Sequence, residues 1–346
     1  MQTANVNGVN LQFEVQGLGE PVVLVHGSIL ADGLAPLLKA PILTQHYRII
    51  KYYRCGFDGS THLTPPVSIA QQAEHCRALL RYLNIERAHI VGYDYGCLIA
   101  LQLALDTPEA VHSLVLLEPP PLVLGDDVPS GVQLIKEQFV EKRETSAQKM
   151  YEEGKKVEAT DTFLRLVCGQ GYREVIDQAL SPNAFDLAVK DADTFFQIEV
   201  PAGLMWSFPF ESAQRIEQPV LSVLGADSIL MFHEMHGMVL KWLPKAEDLV
   251  LPNVTHLLPM MNPQDLAAGL ANFFIRHQLP LAASTLFDDE MDDLKNEVGT
   301  VLDDPDSWLN TPNDRFAGKK PIDLIGTKEE QQLRDLIRAI KHGMVA

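Results

Sequence analysis

The stretch Ala88-His89-Ile90-Val91-Gly92-Tyr93-Asp94-Tyr95-Gly96-Cys97-Leu98-Ile99-Ala100 decides the fold. It reads as an apolar strand, a sharp Gly-x-Asp-x-Gly turn and a helix. Glycines on both sides of Asp94 suit a turn whose central residue is strained while the chain passes close by. A carboxylate at the tip is already nucleophilic at neutral pH, whereas a hydroxyl there would need a base.

Working outward, residues 3 to 16 alternate polar and apolar around Asn7-Gly8, a hairpin signal. Pro21-Val22-Val23-Leu24-Val25 is a buried-type strand ending in His26-Gly27-Ser28. Tyr47 to Tyr52 is the next strand, and Arg54 to Ser60 a glycine-punctuated loop. Ser68 to Leu83 has helical periodicity. After the central stretch comes a strand from His112 to Leu117, stopped at Glu118-Pro119-Pro120-Pro121. From 122 to about 215 the alternation gives way to charged helical stretches, Val132 to Gly154 and Ala159 to Leu180. It returns with the strand Pro219 to Gly225, a helix from Ile229 to Leu243, the strand Glu247 to Leu251 and a closing helix from Leu266 to His277. Strands separated by helices predict an α/β fold with a mostly parallel sheet. The interruption predicts a helical cap above the carboxyl ends of the strands, where ligands bind in such sheets. The expected organisation is a core at 1–121 and 216–280, a cap at 122–215 and a small C-terminal α-helical domain at 285–346.

The 346 residues carry a formal charge of −18, which disfavours nucleic acid and anionic membranes as partners. The four cysteines, Cys55, Cys76, Cys97 and Cys168, lack zinc or Cys-x-x-Cys spacing and suit a reducing cytoplasm. No signal peptide and no membrane span is expected. No metal and no cofactor is expected either, since His233, His236 and His256 form no metal-binding pattern.

Residues 3 to 278 resemble a capped α/β-hydrolase. The Gly-x-Asp-x-Gly turn resembles that family's nucleophile elbow, usually Gly-x-Ser-x-Gly. Asp227, in Leu224-Gly225-Ala226-Asp227-Ser228, follows a late strand where the family carries its acid. His256, in Asn253-Val254-Thr255-His256, matches the family histidine. The resemblance implies Asp94 as nucleophile, His256 as base on a water, and Asp227 as the residue orienting the imidazole. It places His26 in the loop beside the substrate and gives the oxyanion-hole donors as the backbone N–H groups of Ser28 and Tyr95. Aspartate at the elbow is the choice of haloalkane dehalogenases and epoxide hydrolases, which pass through a covalent alkyl ester. The match is partial: Tyr95 stands where those groups usually have tryptophan, Ile29 replaces the proline of epoxide hydrolases, and Ser28 replaces the asparagine of many dehalogenases. The flanking Leu116 to Pro120 and Gln218 to Gly225 look closer to esterase-like members with serine at the elbow. Substrate contacts expected from the cap are Tyr151 and Tyr172, as acids for an epoxide oxygen, and Trp206, as a halide donor; packing is the alternative for each.

A second resemblance lies at residues 285 to 346. Trp308-Leu309-Asn310-Thr311-Pro312-Asn313, then Gly318-Lys319-Lys320-Pro321-Ile322-Asp323-Leu324, then a terminal helix capped by Thr327, are similar to the C-terminal toxin-binding domain of Xre/MbcA/ParS antitoxins. The resemblance implies a protein partner or self-association, and no DNA binding, since a hydrolase-like region stands where those antitoxins carry a helix-turn-helix. The expectation is therefore a cytoplasmic hydrolase acting on a small apolar epoxide or organohalide. The alternatives are a silent scaffold serving as a binding module, or an esterase-like enzyme with an altered nucleophile.

Overall fold

The computed structural model describes residues 1–122, 146–243, 245–279 and, in the last stretch, 294–295, 298–299, 302, 304–316, 318–325, 333–334, 336–337 and 340. Eight strands form one sheet: β1 Gln2–Val6, β2 Val9–Gln16, β3 Glu20–Val25, β4 Tyr47–Tyr52, β5 Ala88–Tyr93, β6 Val111–Leu117, β7 Val220–Gly225 and β8 Glu247–Leu251. Their order is β1-β2-β4-β3-β5-β6-β7-β8. β1 pairs with β2, and β2 with β4, antiparallel; every later pairing is parallel. Asn7 and Gly8, at φ 49° and 79°, make the first hairpin, as their side chains allow.

The order matters for function. From β3 the chain crosses to β4 on one side and then back to β5 on the other, so the loops leaving β3 and β5 diverge. That reversal point is where an open parallel sheet offers a crevice. β5 and β7 are buried at every position, and β3 at all but Glu20. Their near-continuous apolar character follows from helices lying on both faces. The helix Ile69–Tyr82 is capped by Ser68, whose side chain accepts from the Gln71 N–H, and it packs beside the helix Tyr95–Asp106.

Between β6 and β7 lies a helical insertion, described from residue 146 onward. The expected stretch Val132 to Gly154 lies outside the described residues up to 145; beyond it Ala147–Glu152 is helical. The stretch Ala159 to Leu180 is two helices, Lys156–Cys168 and Tyr172–Ala179. Gly169, at φ 90°, ends the first in a conformation an L-residue resists. Further on, Phe195–Glu199 forms one π-helical turn running into the helix Val200–Met205. The closing helix, Pro263–Arg276, begins earlier than its apolar pattern, because the Asn262 side chain caps it by accepting from the Asp265 N–H.

The chain divides into two compact units, Met1–Leu279 and Pro280–Ala346. The second has its own small core, with Leu294, Val298, Leu309, Phe316, Leu324, Ile325, Leu333 and Ile337 buried. Its helix Pro305–Asn310 is capped by Asp304, which accepts from the Ser307 N–H. The expected cap Thr327 lies outside the described residues. Among the described residues no helix is long and apolar enough to cross a membrane.

The tightest constraint in the first unit is at Gly96, where an added Cβ would collide with the Val25 carbonyl oxygen of β3. Val25 is held in its strand by parallel pairing on both sides, and Gly96 is in the first turn of the helix Tyr95–Asp106. Gly96→Ala is expected to cost about 3 kcal/mol or more in a denaturant titration, at the upper end of overpacking effects. A loss under about 1 kcal/mol would show that the turn relaxes freely.

Candidate active site

Asp94 sits between β5 and the helix Tyr95–Asp106 at φ 49° and ψ −121°, a conformation sparsely populated by residues with a Cβ. It is held there from both sides. Its N–H donates to the Leu117 carbonyl at 3.0 Å, and its carbonyl accepts from the Cys97 N–H at 2.9 Å. A Cβ on Gly92 would fall 2.7 Å from the Cys97 Cα, and one on Gly27 would fall 2.9 Å from the Asp94 Cβ. The glycines thus let the loop after β3 pass directly over the carboxylate. There the Ser28 N–H donates to Asp94 Oδ2 at 2.9 Å. The other expected donor, Tyr95, opens the helix; its buried ring places the hydroxyl 3.4 Å from the Gln72 amide nitrogen.

His256, in the loop after β8, faces the second carboxylate oxygen: its Nε2 lies 3.9 Å from Asp94 Oδ1. The ring is fixed on several sides. Phe232 stacks on it at 4.2 Å between centroids, and the Tyr93 hydroxyl donates to its backbone carbonyl at 2.9 Å. Its Nδ1 lies 2.7 Å from Glu118 Oε2. A carboxylate can only accept there, so Nδ1 carries a proton and Nε2 is the nitrogen that faces Asp94.

The carboxylate that meets His256 is therefore Glu118, and the expected partner Asp227 does not. Asp227 is exposed, and its backbone N–H donates to the Val254 carbonyl. The reason is local. The turn after β7 directs the Gly225 N–H and the Ser228 hydroxyl inward onto Glu118 Oε1, at 2.7 and 2.6 Å, which leaves the Asp227 side chain outside. Glu118 itself adopts φ 47° at the end of β6 and is fully buried. A charged residue directly after the apolar run Leu114-Val115-Leu116-Leu117 and followed by three prolines was the available signal for it.

The remaining expected residues stand elsewhere. His26 is buried and turned into the protein: its Nε2 accepts from the Arg54 N–H at 3.0 Å, and its Nδ1 lies 2.8 Å from the Gly27 carbonyl. Burial, with the Arg54 charge next, holds its pKa well below the usual imidazole range, so it is a neutral strut. The Tyr151 hydroxyl is 2.5 Å from Asp193, the Tyr172 hydroxyl donates to Asp161 at 2.7 Å, and the Trp206 N–H donates to Gln102 at 2.7 Å. The site is closed instead by the helix Lys156–Cys168. Phe163, Leu164, Val167 and Cys168 join Ser28, Leu30, Tyr93, Asp94 and His256 around a cavity of about 10 Å³, room for about one water centre. Burial and the Asp94 charge push the Cys168 thiol well up, which leaves it a packing group.

Beneath the loop after β3 lies a buried polar node that the sequence did not flag. Arg54 donates to the His26 carbonyl at 3.1 Å, the Gly27 carbonyl at 2.9 Å and Gln72 Oε1 at 2.7 Å. It also pairs with Glu199 of the π-helical turn at 2.5 Å, and both side chains are essentially fully buried. Burial raises the Glu199 pKa against the pull of Arg54. One guanidinium thus ties the helical insertion to the loop that delivers Ser28. Among the described residues no group of three or more His, Cys, Asp or Glu side chains could hold a metal ion.

Residues 20–263, more than half of the chain, match the family model of the alpha/beta hydrolase fold. The chain belongs to the alpha/beta hydrolase family. Residues 298–343 match that of the antitoxin Xre/MbcA/ParS C-terminal toxin-binding domain. A putative carbamate hydrolase RutD of Azorhizobium caulinodans is 31% identical over 117 residues, 34% of this chain and 43% of that protein. The dihydrolipoyllysine-residue acetyltransferase component of the acetoin cleaving system of Cupriavidus necator is 31% identical over 131 residues, 38% of this chain and 34% of its own length. The chain thus spans less than half the length of these curated relatives. An enol-lactonase from Burkholderia xenovorans superposes with TM-score 0.66 at 18% identity, over 79% of this chain and 100% of its own. An alpha/beta hydrolase from Sphaerobacter thermophilus does so at 0.61 and 25%, over 79% and 100%.

Two outcomes follow from this geometry. In nitrogen-15 spectra of the histidines, His256 should show a protonated Nδ1; Glu118→Gln should alter that signal and Asp227→Asn should leave it in place. The reverse pattern would reinstate Asp227. Glu199→Ala should cost about 3–5 kcal/mol in urea titration, because it strands the buried Arg54 charge. The double change Arg54→Met with Glu199→Leu should recover part of that loss.

Proposed function

We propose that the chain is a hydrolase that works through a covalent ester on Asp94, with an organohalide as the first substrate class and an epoxide as the second. The observation that carries this reading is the division of labour on the Asp94 carboxylate. Oδ2 rests on the Ser28 N–H, while Oδ1 faces His256 Nε2 beside the small closed cavity.

In the first step Oδ1 attacks the substrate carbon, the carbon–halogen bond breaks and halide leaves with the electron pair. The product is an alkyl ester of Asp94. In the second, His256 Nε2 takes a proton from water and the hydroxide adds to Cγ. The negative charge then develops on Oδ2, already at the Ser28 N–H. Collapse expels the alkoxide, which recovers the proton from His256 as the alcohol forms. The 3.9 Å gap between Nε2 and Oδ1 is too long for a direct hydrogen bond and fits a bridging water. Glu118 holds the tautomer and stabilises the imidazolium.

Halide ranks ahead of epoxide because an epoxide oxygen needs a proton as it leaves. The expected donors for both leaving groups are engaged elsewhere, Tyr151 and Tyr172 with carboxylates and Trp206 with Gln102, and only the halide can leave without taking up a proton. Attack of Asp94 on an ester would give a mixed anhydride, which places acyl substrates third. A protein partner for residues 298–343 is a second, compatible reading, supported by the toxin-binding family match; a silent hydrolase scaffold is its limiting case.

The test is a single turnover in heavy-oxygen water with short haloalkanes and epoxides. One heavy oxygen should enter the Asp94 peptide, and His256→Gln should accumulate the alkyl adduct on Asp94. Turnover with no label in Asp94 would remove the ester mechanism. No turnover on either class would favour the silent scaffold.

A further inference from the structure

The π-helical turn Phe195–Glu199 is fastened to the core at both ends. Just before it, the Thr194 hydroxyl donates to the Gly56 carbonyl at 2.7 Å, a buried bond. At its last residue Glu199 pairs with Arg54. Between these ends Phe195 packs on Phe163 and Phe196 on Tyr151, each at 4.4 Å between centroids. Phe163 in turn lines the small cavity at Asp94. One turn of the insertion thus touches both the wall of the site and the loop that carries Ser28.

Glu199 bears on Ser28 chiefly through Arg54, which holds the carbonyls of His26 and Gly27, the two residues before Ser28. Burial raises the Glu199 pKa, and Arg54 and then the Ser28 side chain favour its charged form in return. A buried charge that loses its partner is costly, so Arg54 and Glu199 stay together and the loop stays between them.

We propose that Glu199 is a positioning residue: through Arg54 it sets the Ser28 N–H on Asp94 Oδ2, and it thereby favours hydrolysis of the Asp94 ester over its formation. The step preference rests on the ester reading above, whereas the placement of the Ser28 N–H does not. The sign follows from charge. As the ester forms, Asp94 gives up its negative charge, so a donor on Oδ2 stabilises the starting carboxylate more than the transition state. When water attacks, charge returns to Oδ2 and the same donor stabilises it. Loosening the Ser28 N–H therefore slows the second step and spares the first, while general damage to the site slows both.

The test uses the full chain with Arg54→Met plus Glu199→Leu, which removes the pair without changing the net charge. Glu199→Gln, which keeps the shape, carries the same comparison should the double variant not fold; circular dichroism reports folding. Nitrogen-15 amide spectra follow the Ser28 N–H, with the Asp94 and Cys97 N–H groups, both bonded to backbone carbonyls, as references. In the double variant the Ser28 amide should shift and exchange with solvent at least about tenfold faster, while the two references stay in place. In single turnovers with a short haloalkane, the Asp94 adduct should form at close to the wild-type rate and disappear at least about tenfold more slowly. Glu199→Gln should move both readouts the same way by a smaller factor. An unmoved Ser28 amide in a folded variant would overturn the proposal. So would a common change in all three amides or equal slowing of both steps, either of which marks a merely structural pair. If no substrate turns over, the ester reading and the step preference fall together, and the amide spectra alone decide the placement of Ser28.

Discussion

One buried carboxylate, Glu118, joins three neighbouring strand ends. It stands at the end of β6, accepts from the Gly225 N–H and the Ser228 hydroxyl beyond β7, and meets His256 beyond β8. Each contact satisfies a group that burial would otherwise penalise. Together they fix the one imidazole nitrogen that faces Asp94. The loops of this half of the sheet are thereby positioned by charge-assisted hydrogen bonds as well as by apolar packing.

The other half of the site depends on Arg54. Its guanidinium holds the carbonyls of His26 and Gly27, so the loop after β3 is pinned where the Ser28 N–H meets Asp94. By pairing with Glu199 it couples that loop to the helical insertion. A buried ion pair of this kind is weak evidence for net stability, but its loss leaves an uncompensated charge. The closure over Asp94 and the placement of Ser28 are consequently parts of one structure. The π-helical turn that presents Glu199 is the kind of local irregularity often found at functional sites.

The second unit is self-contained in the sense that counts physically: its apolar residues bury against one another. The match to a toxin-binding family model falls within this unit and the match to a hydrolase family model within the larger one, so the two patterns stand on separate units of one chain. The strongly negative overall charge belongs to the whole sequence and argues about partners, not about the reaction.

Much was decided locally. The alternation of strands and helices, the hairpin at Asn7-Gly8 and the turn at Asp94 follow from nearest-neighbour pattern and backbone sterics, so the sequence by itself determined them; His256 was identified through the family resemblance. The break at Gly169 also lay in the sequence, although helical periodicity on either side hid it. What the sequence could not settle was which distant groups meet. Asp227 and Glu118 both follow buried strands in a parallel sheet, and the three prolines that set Glu118 apart do not say which carboxylate reaches His256. The choice falls to Glu118 because two inward donors beyond β7 meet it and the Asp227 side chain points out. In the same way Tyr151, Tyr172 and Trp206 had suitable chemistry, yet Asp193, Asp161 and Gln102 take their donors. Local sequence determines conformation residue by residue, whereas partnership among buried polar groups is settled only when the whole chain has chosen what to desolvate.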